Sequence, residues 1–375
     1  MVDSVHLANW LARFSDMDFT FTIYPSRKYR EMHPKLIKLF GNTSKANYHL
    51  ETSIKPKALS NYIDYFMDSV MMSHPRNFSR IGRLAKIIRN SNFDAIHGLE
   101  LQGAGYLLLE NKDALKEFPG KIIVTNYGSD IYYFEKDRVH KKKIVELLEL
   151  ATHYSAECQR DYDLARELGF KGKDLPIVPN STSFTEDELE NHGSLPSQRF
   201  RIVVKTYGGT FGLGAIAIQA VEEILSEFPL VKITFYSVTD DLVDQVEKLK
   251  DEHPTRIEYF TVRKSLQHEA LMLKFSESRV YLGCSRSDGI STSFLEALAS
   301  GCYPIQTNTS CADEWVNIGA IASVIPPRKE DVAGALRLAL RDDSLVDNAK
   351  HANSRVAKKY LSPGHIKKQL EHFYD

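Results

Sequence analysis

The chain has no apolar run approaching the roughly 20 residues that cross a bilayer. Its first residues also lack the basic-then-apolar layout of a secretory leader. A soluble, cytoplasmic protein is expected. Cysteines are few: Cys158, Cys284, Cys302 and Cys311 show no short paired spacing of the zinc type, so reduced, mostly buried thiols are expected. The 13 histidines are dispersed and form no His-x-x-x-His pair, and no metal is assigned. Charge of either sign is not in excess, with 48 Lys and Arg against 49 Asp and Glu. That balance, with no helix-turn-helix or RNA-binding signature, argues against a nucleic-acid partner. Internal repeats and low-complexity tracts are absent as well.

What is there is a chain of 375 residues, long enough for two domains, with 43% hydrophobic residues to supply a core for each. Short apolar strands alternate with helical stretches, the pattern of an α/β protein with parallel sheets. Strands are expected over 19–24, 95–97, 121–125, 153–155 and 177–178 of a first sheet. A second sheet is expected over 200–205, 232–236, 257–260, 280–282, 303–306 and 323–325. Helices are expected over 5–14, 80–90, 101–109, 161–168, 215–228 and 292–300. The polar stretch from Asn191 and His192 through Gly193 to Gln198 is the best linker. It separates a domain over 1–192 from one over 199–361, with a last helix over 362–375 opened by Ser362-Pro363.

Residues 20–90 carry 13 Lys and Arg against four Asp and Glu, among them Arg27, Lys28, Arg30, Lys35, Lys38, Arg80, Arg83, Lys86 and Arg89. Tyr24, Tyr29, Phe40, Tyr62 and Phe66 are interleaved with them. Two readings stand side by side: a surface for anionic lipid or a phosphate-bearing acceptor, and ordinary helices with solvated basic faces.

The densest chemistry lies in residues 285–301, where Asp288 and Glu296 flank a turn rich in Gly, Ser and Thr. A short strand, a polar turn and a helix stopped by Gly301 and Pro304 are expected in that order. The unpaired N–H groups at such a helix start suit phosphate oxygens. Carboxylates on either side can hold hydroxyls. The combination fits a nucleotide-sugar, and the competing reading of Glu296 alone is a solvated residue on a surface helix.

This stretch resembles the signature of retaining glycosyltransferases of the two-domain GT-B fold, particularly family 4. The resemblance implies two Rossmann-like domains facing across a cleft, with the last helix crossing back to the N-terminal domain. It implies that Asp288 contacts the donor sugar, that Ser287, Gly289, Ile290, Ser291 and Thr292 bind the diphosphate, and that Glu296 holds the ribose. Asp288 departs from the usual Glu and is one methylene shorter. Lys205, at the end of the first strand of the second domain, matches the family's basic residue and is expected to stabilise the leaving group beside Gly208 and Gly209. The family's second cation is missing downstream, and Arg263 or Lys264 is expected to substitute.

In the N-terminal half, residues 93–102 and 125–131 resemble two family segments at strand ends. His97 and Asp130 become catalytic candidates, and Gly128 and His6 acceptor-side candidates; the other reading makes His97 and Asp130 structural. The usual His of the second segment is replaced in the neighbourhood of Asn126 and Tyr127. Family 4 chains open with a buried strand, whereas here Asp3-Ser4 already caps a helix, so either the true start lies upstream or the sheet is one strand short.

The resemblance implies transfer of a hexose-type sugar from a nucleoside diphosphate to a saccharide or lipid-linked acceptor. Bacterial polysaccharide, lipopolysaccharide or glycolipid assembly at the inner membrane face is the expected setting, and no cofactor or metal is required. The alternatives are an NAD(P)-dependent oxidoreductase, from Gly212-x-Gly214-x-x-Ala217 with Asp240, and an epimerase, hydrolase or non-catalytic nucleotide-sugar binder of the same fold. Asp161-Tyr162-Asp163 imitates a metal motif, but its place at a helix start gives it the role of a cap.

Overall fold

The computed structural model describes residues 2–26, 31–41, 47–50, 80–180, 184–190 and 193–375. Arg27, Lys28, Tyr29, Arg30, Tyr62 and Phe66 of the basic segment, and Asn191 and His192 of the linker, lie outside the described residues. By contacts the chain divides into two compact units. The first comprises Met1–Ser181 with Lys367–Asp375, the second Thr182–Ile366.

Alternation builds the second unit. Its strands are β7 (Arg201–Lys205), β8 (Lys232–Val238), β9 (Ile257–Thr261), β10 (Val280–Gly283), β11 (Tyr303–Thr307) and β12 (Ser323–Ile325). They form one parallel sheet in the order β12-β11-β10-β7-β8-β9. Successive side chains of a strand leave opposite faces. Ile202, Val204, Val280 and Leu282 therefore join one core with the helices Gly214–Ile224 and Lys329–Arg341. Val203 and Tyr281 join the other, with Phe294 and Leu298 of the helix Thr292–Ser300. A sheet covered on both faces reads as continuous apolar runs, which is why these strands are plain in the sequence.

The first unit holds β1 (Thr20–Ile23), β2 (Asn47–Leu50), β3 (Ala95–Leu99), β4 (Lys121–Thr125), β5 (His153–Ser155) and β6 (Lys173–Asp174). All pairs are parallel, but they fall into two sheets, β1-β2 and β3-β4-β5-β6. The helix Val5–Ala12 is capped by Ser4, whose side chain accepts the His6 N–H. One face of β4 packs on Leu84, Ile88, Leu108, Leu147 and Leu148. An aromatic cluster of Trp10, Phe14, Phe19, Phe21, Phe373 and Tyr374 forms a second core.

Three expectations fail locally. The last strand of the first unit is Lys173–Asp174, and residues 177–178 run into Pro179 without pairing. The strand Asn47–Leu50 was not anticipated, because its alternating exposed residues carry no apolar run. The helix expected over 101–109 begins as a π-helix, Glu100–Gly105, and becomes α-helical only at Tyr106–Glu110. Glu100 has φ +79°, a left-handed conformation that a β-carbon disfavours. The turn is held by the Asp130 carboxylate, which accepts the next N–H, that of Leu101, at 2.9 Å.

Candidate functional site

In the second unit the candidate residues gather at the carboxyl ends of β7 and β10, where parallel α/β sheets bind ligands. Lys205 ends β7 opposite Gly283 of β10. The two following loops are tied by backbone bonds: Arg286 N–H to Phe211 O at 2.7 Å and Leu213 N–H to Cys284 O at 3.2 Å. Gly209 adopts φ +68°. A β-carbon on Gly212 would lie 1.9 Å from the Tyr207 carbonyl oxygen. The glycines of the dinucleotide-like motif are thus accounted for by close backbone packing, and Asp240 is paired with Arg263.

The loop of the signature is anchored from β11. Thr307 Oγ1 accepts the Ser285 N–H at 3.0 Å, Thr309 O accepts the Asp288 N–H at 3.3 Å, and Gly289 O accepts the Cys311 N–H at 2.7 Å. Ser287, Gly289, Ile290 and Ser291 are buried, and Asp288 and Thr292 are half-buried. The helix Thr292–Ser300 starts at Ser291 without a side-chain cap bond and ends at Gly301 in the left-handed region. Its residues from Ser293 to Ser300 are all buried, so Glu296 is no surface residue: it is 6% exposed.

Burial pushes the Glu296 carboxyl up to about 7, against the pull of the Lys205 charge and a Ser293 hydrogen bond. His268 Nδ1, on the exposed first residue of the helix His268–Ser276, stands 3.8 Å from Glu296 Oε1. Tyr207 sits 5.0 Å from the Lys205 ammonium. Its phenol is raised by burial first and by the Asp288 charge second. Lys205, Tyr207, Asp288 and Glu296 therefore share one electrostatic neighbourhood. Arg263 does not join it: its ion pair with Asp240 is largely exposed, and Lys264 is exposed too. Tyr207 and His268 were missed. Tyr207 could have been found from its place in the turn after Lys205, whereas nothing in sequence links His268 to Glu296.

In the first unit, the half-exposed His97 ring is tied to its neighbours through both nitrogens. Its Nδ1 bonds Tyr374 Oη at 2.8 Å and its Nε2 bonds Thr125 Oγ1 at 2.6 Å. Burial lowers its pKa to about 3, so the ring is neutral and both nitrogens are used. Both ring nitrogens of His97 are bonded within the first unit, an arrangement that fits the structural reading. Asp130 is buried and accepts the N–H groups of Leu101 and Tyr127, and burial outweighs these donors to raise it to about 8. It pins the Glu100 turn. Gly128, at φ +37°, precedes the short helix Ser129–Tyr132. The half-buried His6 ring lies 6.0 Å from Tyr127, whose buried Oη has no hydrogen-bond partner among the described residues. Asp161 is buried against Asn126 and Arg160, in the first turn of the helix Gln159–Glu167.

Two parallel α/β units of this kind define the GT-B class of fold. Solved structures that share it include Anabaena HepE in complex with UDP and glucose, at 12% identity and TM-score 0.66 over 99% of this chain and 96% of that one. A glycosyltransferase from Rickettsia africae matches at 14% identity and TM-score 0.65, over 99% and 92%. A UDP-forming α,α-trehalose-phosphate synthase from Burkholderia xenovorans matches at 14% identity and TM-score 0.64, over 98% and 95%. No protein-family model and no curated protein matches the chain.

Proposed function

We propose that the protein is a retaining glycosyltransferase that moves a hexose-type sugar from a nucleoside diphosphate to an acceptor hydroxyl. The observation that carries this reading is the burial of Glu296 beside Lys205, on a helix whose start faces the Asp288 loop. A carboxylate sunk into a core is costly unless it has a ligand or ion to meet. Glu296 is assigned to the ribose hydroxyls, Asp288 to the sugar hydroxyls, and the backbone from Ser287 to Thr292, with Gly208 and Gly209, to the diphosphate.

The bond between the anomeric carbon and the diphosphate oxygen breaks first, and its electron pair stays on the phosphate, where Lys205 meets the growing charge. The acceptor oxygen then bonds to the anomeric carbon on the same face, and its proton passes to a phosphate oxygen. No protein nucleophile is needed, and no metal is assigned to the step. The neighbours' complexes with UDP, and with UDP and glucose, support a nucleotide-sugar donor of that kind.

For the acceptor, a saccharide or lipid-linked hydroxyl in bacterial polysaccharide, lipopolysaccharide or glycolipid assembly fits the exposed Lys35, Lys38, Lys86 and Arg89 of the first unit. Among the described residues no helix is long and apolar enough to cross a membrane. Attachment to the inner membrane face is therefore assigned to surface charge.

Calorimetric titration with nucleoside diphosphates tests the donor site. Glu296→Ala is expected to weaken binding about ten- to a hundredfold, the worth of a charged hydrogen bond. Unchanged affinity removes the ribose assignment. Product formed without any acceptor would mark an epimerase or hydrolase instead.

A further inference from the structure

One helix of the first unit is charged against its own dipole. Acids in the first turn and cations in the last stabilise a helix, because its ends carry partial charges of the opposite sign. The helix Lys329–Arg341 of the second unit follows that rule, with Glu330 and Asp331 at its start and Arg341 at its end. The helix Arg138–Leu150 reverses it. Arg138, Lys141, Lys142 and Lys143 crowd its beginning, its first turn holds no acid and its last no cation, and Glu146 and Glu149 stand toward its end. Helix stability does not account for these cations.

Ion pairing does not account for them either. Lys141 stands 3.3 Å from Glu135, whereas Arg138 and Lys142 are exposed and have no ion pair or hydrogen bond among the described residues. Lys136 and Lys143 lie over the rings of Tyr132 and Tyr106, 4.2 and 5.0 Å from their centres. Residues 134–143 hold five Lys and Arg against Glu135 and Asp137, in a chain whose charges otherwise balance. Asp137 is engaged in the cap, where its Oδ1 accepts the Val139 and His140 N–H groups at 2.9 Å each. The charge of this face is thus carried by side chains and not by the helix end.

Val139 sits among these cations and is 66% exposed, while the apolar residues Ile144, Leu147 and Leu148 of the same helix are buried in the core. Tyr132, Tyr133 and Phe134, just ahead of the helix, are half-buried. A soluble polyanion would meet the cations and leave the valine in water. An anionic bilayer meets both, being negative at its surface and apolar just beneath, with tyrosines favoured at the boundary.

We propose that the start of the helix Arg138–Leu150 is the face by which the protein docks on an anionic lipid bilayer. Val139 enters the boundary between headgroups and acyl chains, and Arg138, Lys142 and Lys143 meet the lipid phosphates. The inference rests on the membrane attachment assigned above and names the element that makes it.

A polarity-sensitive fluorophore on Val139→Cys reads the contact directly, since the four native cysteines are buried and labelling is directed to the new thiol. Leu230→Cys, at a residue 72% exposed in the second unit, is the reference position. The vesicles are phosphatidylcholine alone or with about one third phosphatidylglycerol, at low and physiological salt, and dextran sulfate serves as a soluble polyanion. Sedimentation is expected with the anionic vesicles only and more weakly at physiological salt, with a blue shift at position 139 and none at 230. Arg138→Gln combined with Lys142→Gln is expected to weaken vesicle binding roughly twenty- to thirtyfold, about fivefold for each charge. Its melting temperature should match that of the wild type, because both side chains are exposed and unpaired. Wild-type protein that ignores anionic vesicles at low salt overturns the proposal and the membrane reading together. Protein that sediments with no shift at position 139, or a double variant that binds as the wild type does, excludes this face and leaves the membrane reading standing. An equal shift with dextran sulfate gives the face to a soluble polyanion instead.

Discussion

The second unit is complete where the first is split, although both wind the same way. β7 runs through the middle of its sheet and delivers Lys205 to the carboxyl edge, with cores on both faces. Among the described residues the first unit has β1 and β3 each paired on one side only, in two separate sheets. The difference teaches what a central strand contributes: it joins two half-sheets, buries its neighbours and sets the loop on which a site is built.

Core truncation should separate the units most. Phe294, fully buried in the second unit, should cost about 3–5 kcal/mol as Phe294→Ala. Trp10→Ala should fall at the low end of that range or below it, because among the described residues Trp10 already borders an open slot and less new cavity is made. Urea unfolding gives both values; equal losses would show that the first unit is packed as tightly as the second.

Next in size is Lys205→Ala, expected to lower turnover at saturating donor by two to three orders of magnitude while leaving donor affinity nearly intact. A variant that loses affinity and keeps its turnover would make Lys205 a ground-state contact. Neither outcome should touch the first unit's stability.

The carboxyls sharpen the comparison through pH. Glu296 is raised to about 7, so as pH rises the unfolded chain releases this proton first and the folded unit loses stability between about pH 4.5 and 7. Glu296→Gln should remove that loss, gaining about 3 kcal/mol at pH 8 and little at pH 4, even as donor affinity falls. Asp130 is raised to about 8, so Asp130→Asn should do the same in the first unit over a window reaching pH 8. Unfolding measured from pH 4 to 9 would show a flat difference if these groups are ionised in the fold at neutral pH.

The smallest effect concerns the surface. Reversing Lys35, Lys38 and Lys86, all exposed, should weaken binding to anionic vesicles by about 1 kcal/mol per charge at low salt, and less at physiological salt. Donor affinity in the second unit should not change. Wild-type protein that ignores such vesicles at both salts would favour a soluble acceptor.

The same contrast explains how much could be read in advance. The strands of the second unit and the helix Thr292–Ser300 announce themselves through unbroken apolar runs and the stop at Gly301. β2 could not be seen, since Asn47-Tyr48-His49-Leu50 looks like loop. The π-turn at Glu100 depends on a carboxylate from Asp130, which local propensity does not contain. Asp288 and Glu296 were legible as a spacing. Whether Glu296 was buried was not, because burial comes from helices packed around its own. His97 was legible as a strand-end residue, but one of its two partners, Tyr374, is 277 positions away and could not be read.

That distance bears on how the protein is made. The first unit draws on both ends of the chain: Phe373 and Tyr374 close the cluster around Trp10, and Lys367 pairs with Asp16. During synthesis a leading domain ordinarily folds before the next is finished. Here the aromatic cluster around Trp10 and His97 has to wait, incomplete, until Phe373 and Tyr374 have left the ribosome. Its contacts join residues 364 positions apart, the kind of closure that slows folding. Removing Phe373 and Tyr374 would leave a second unit able to fold and a first unit lacking its seal.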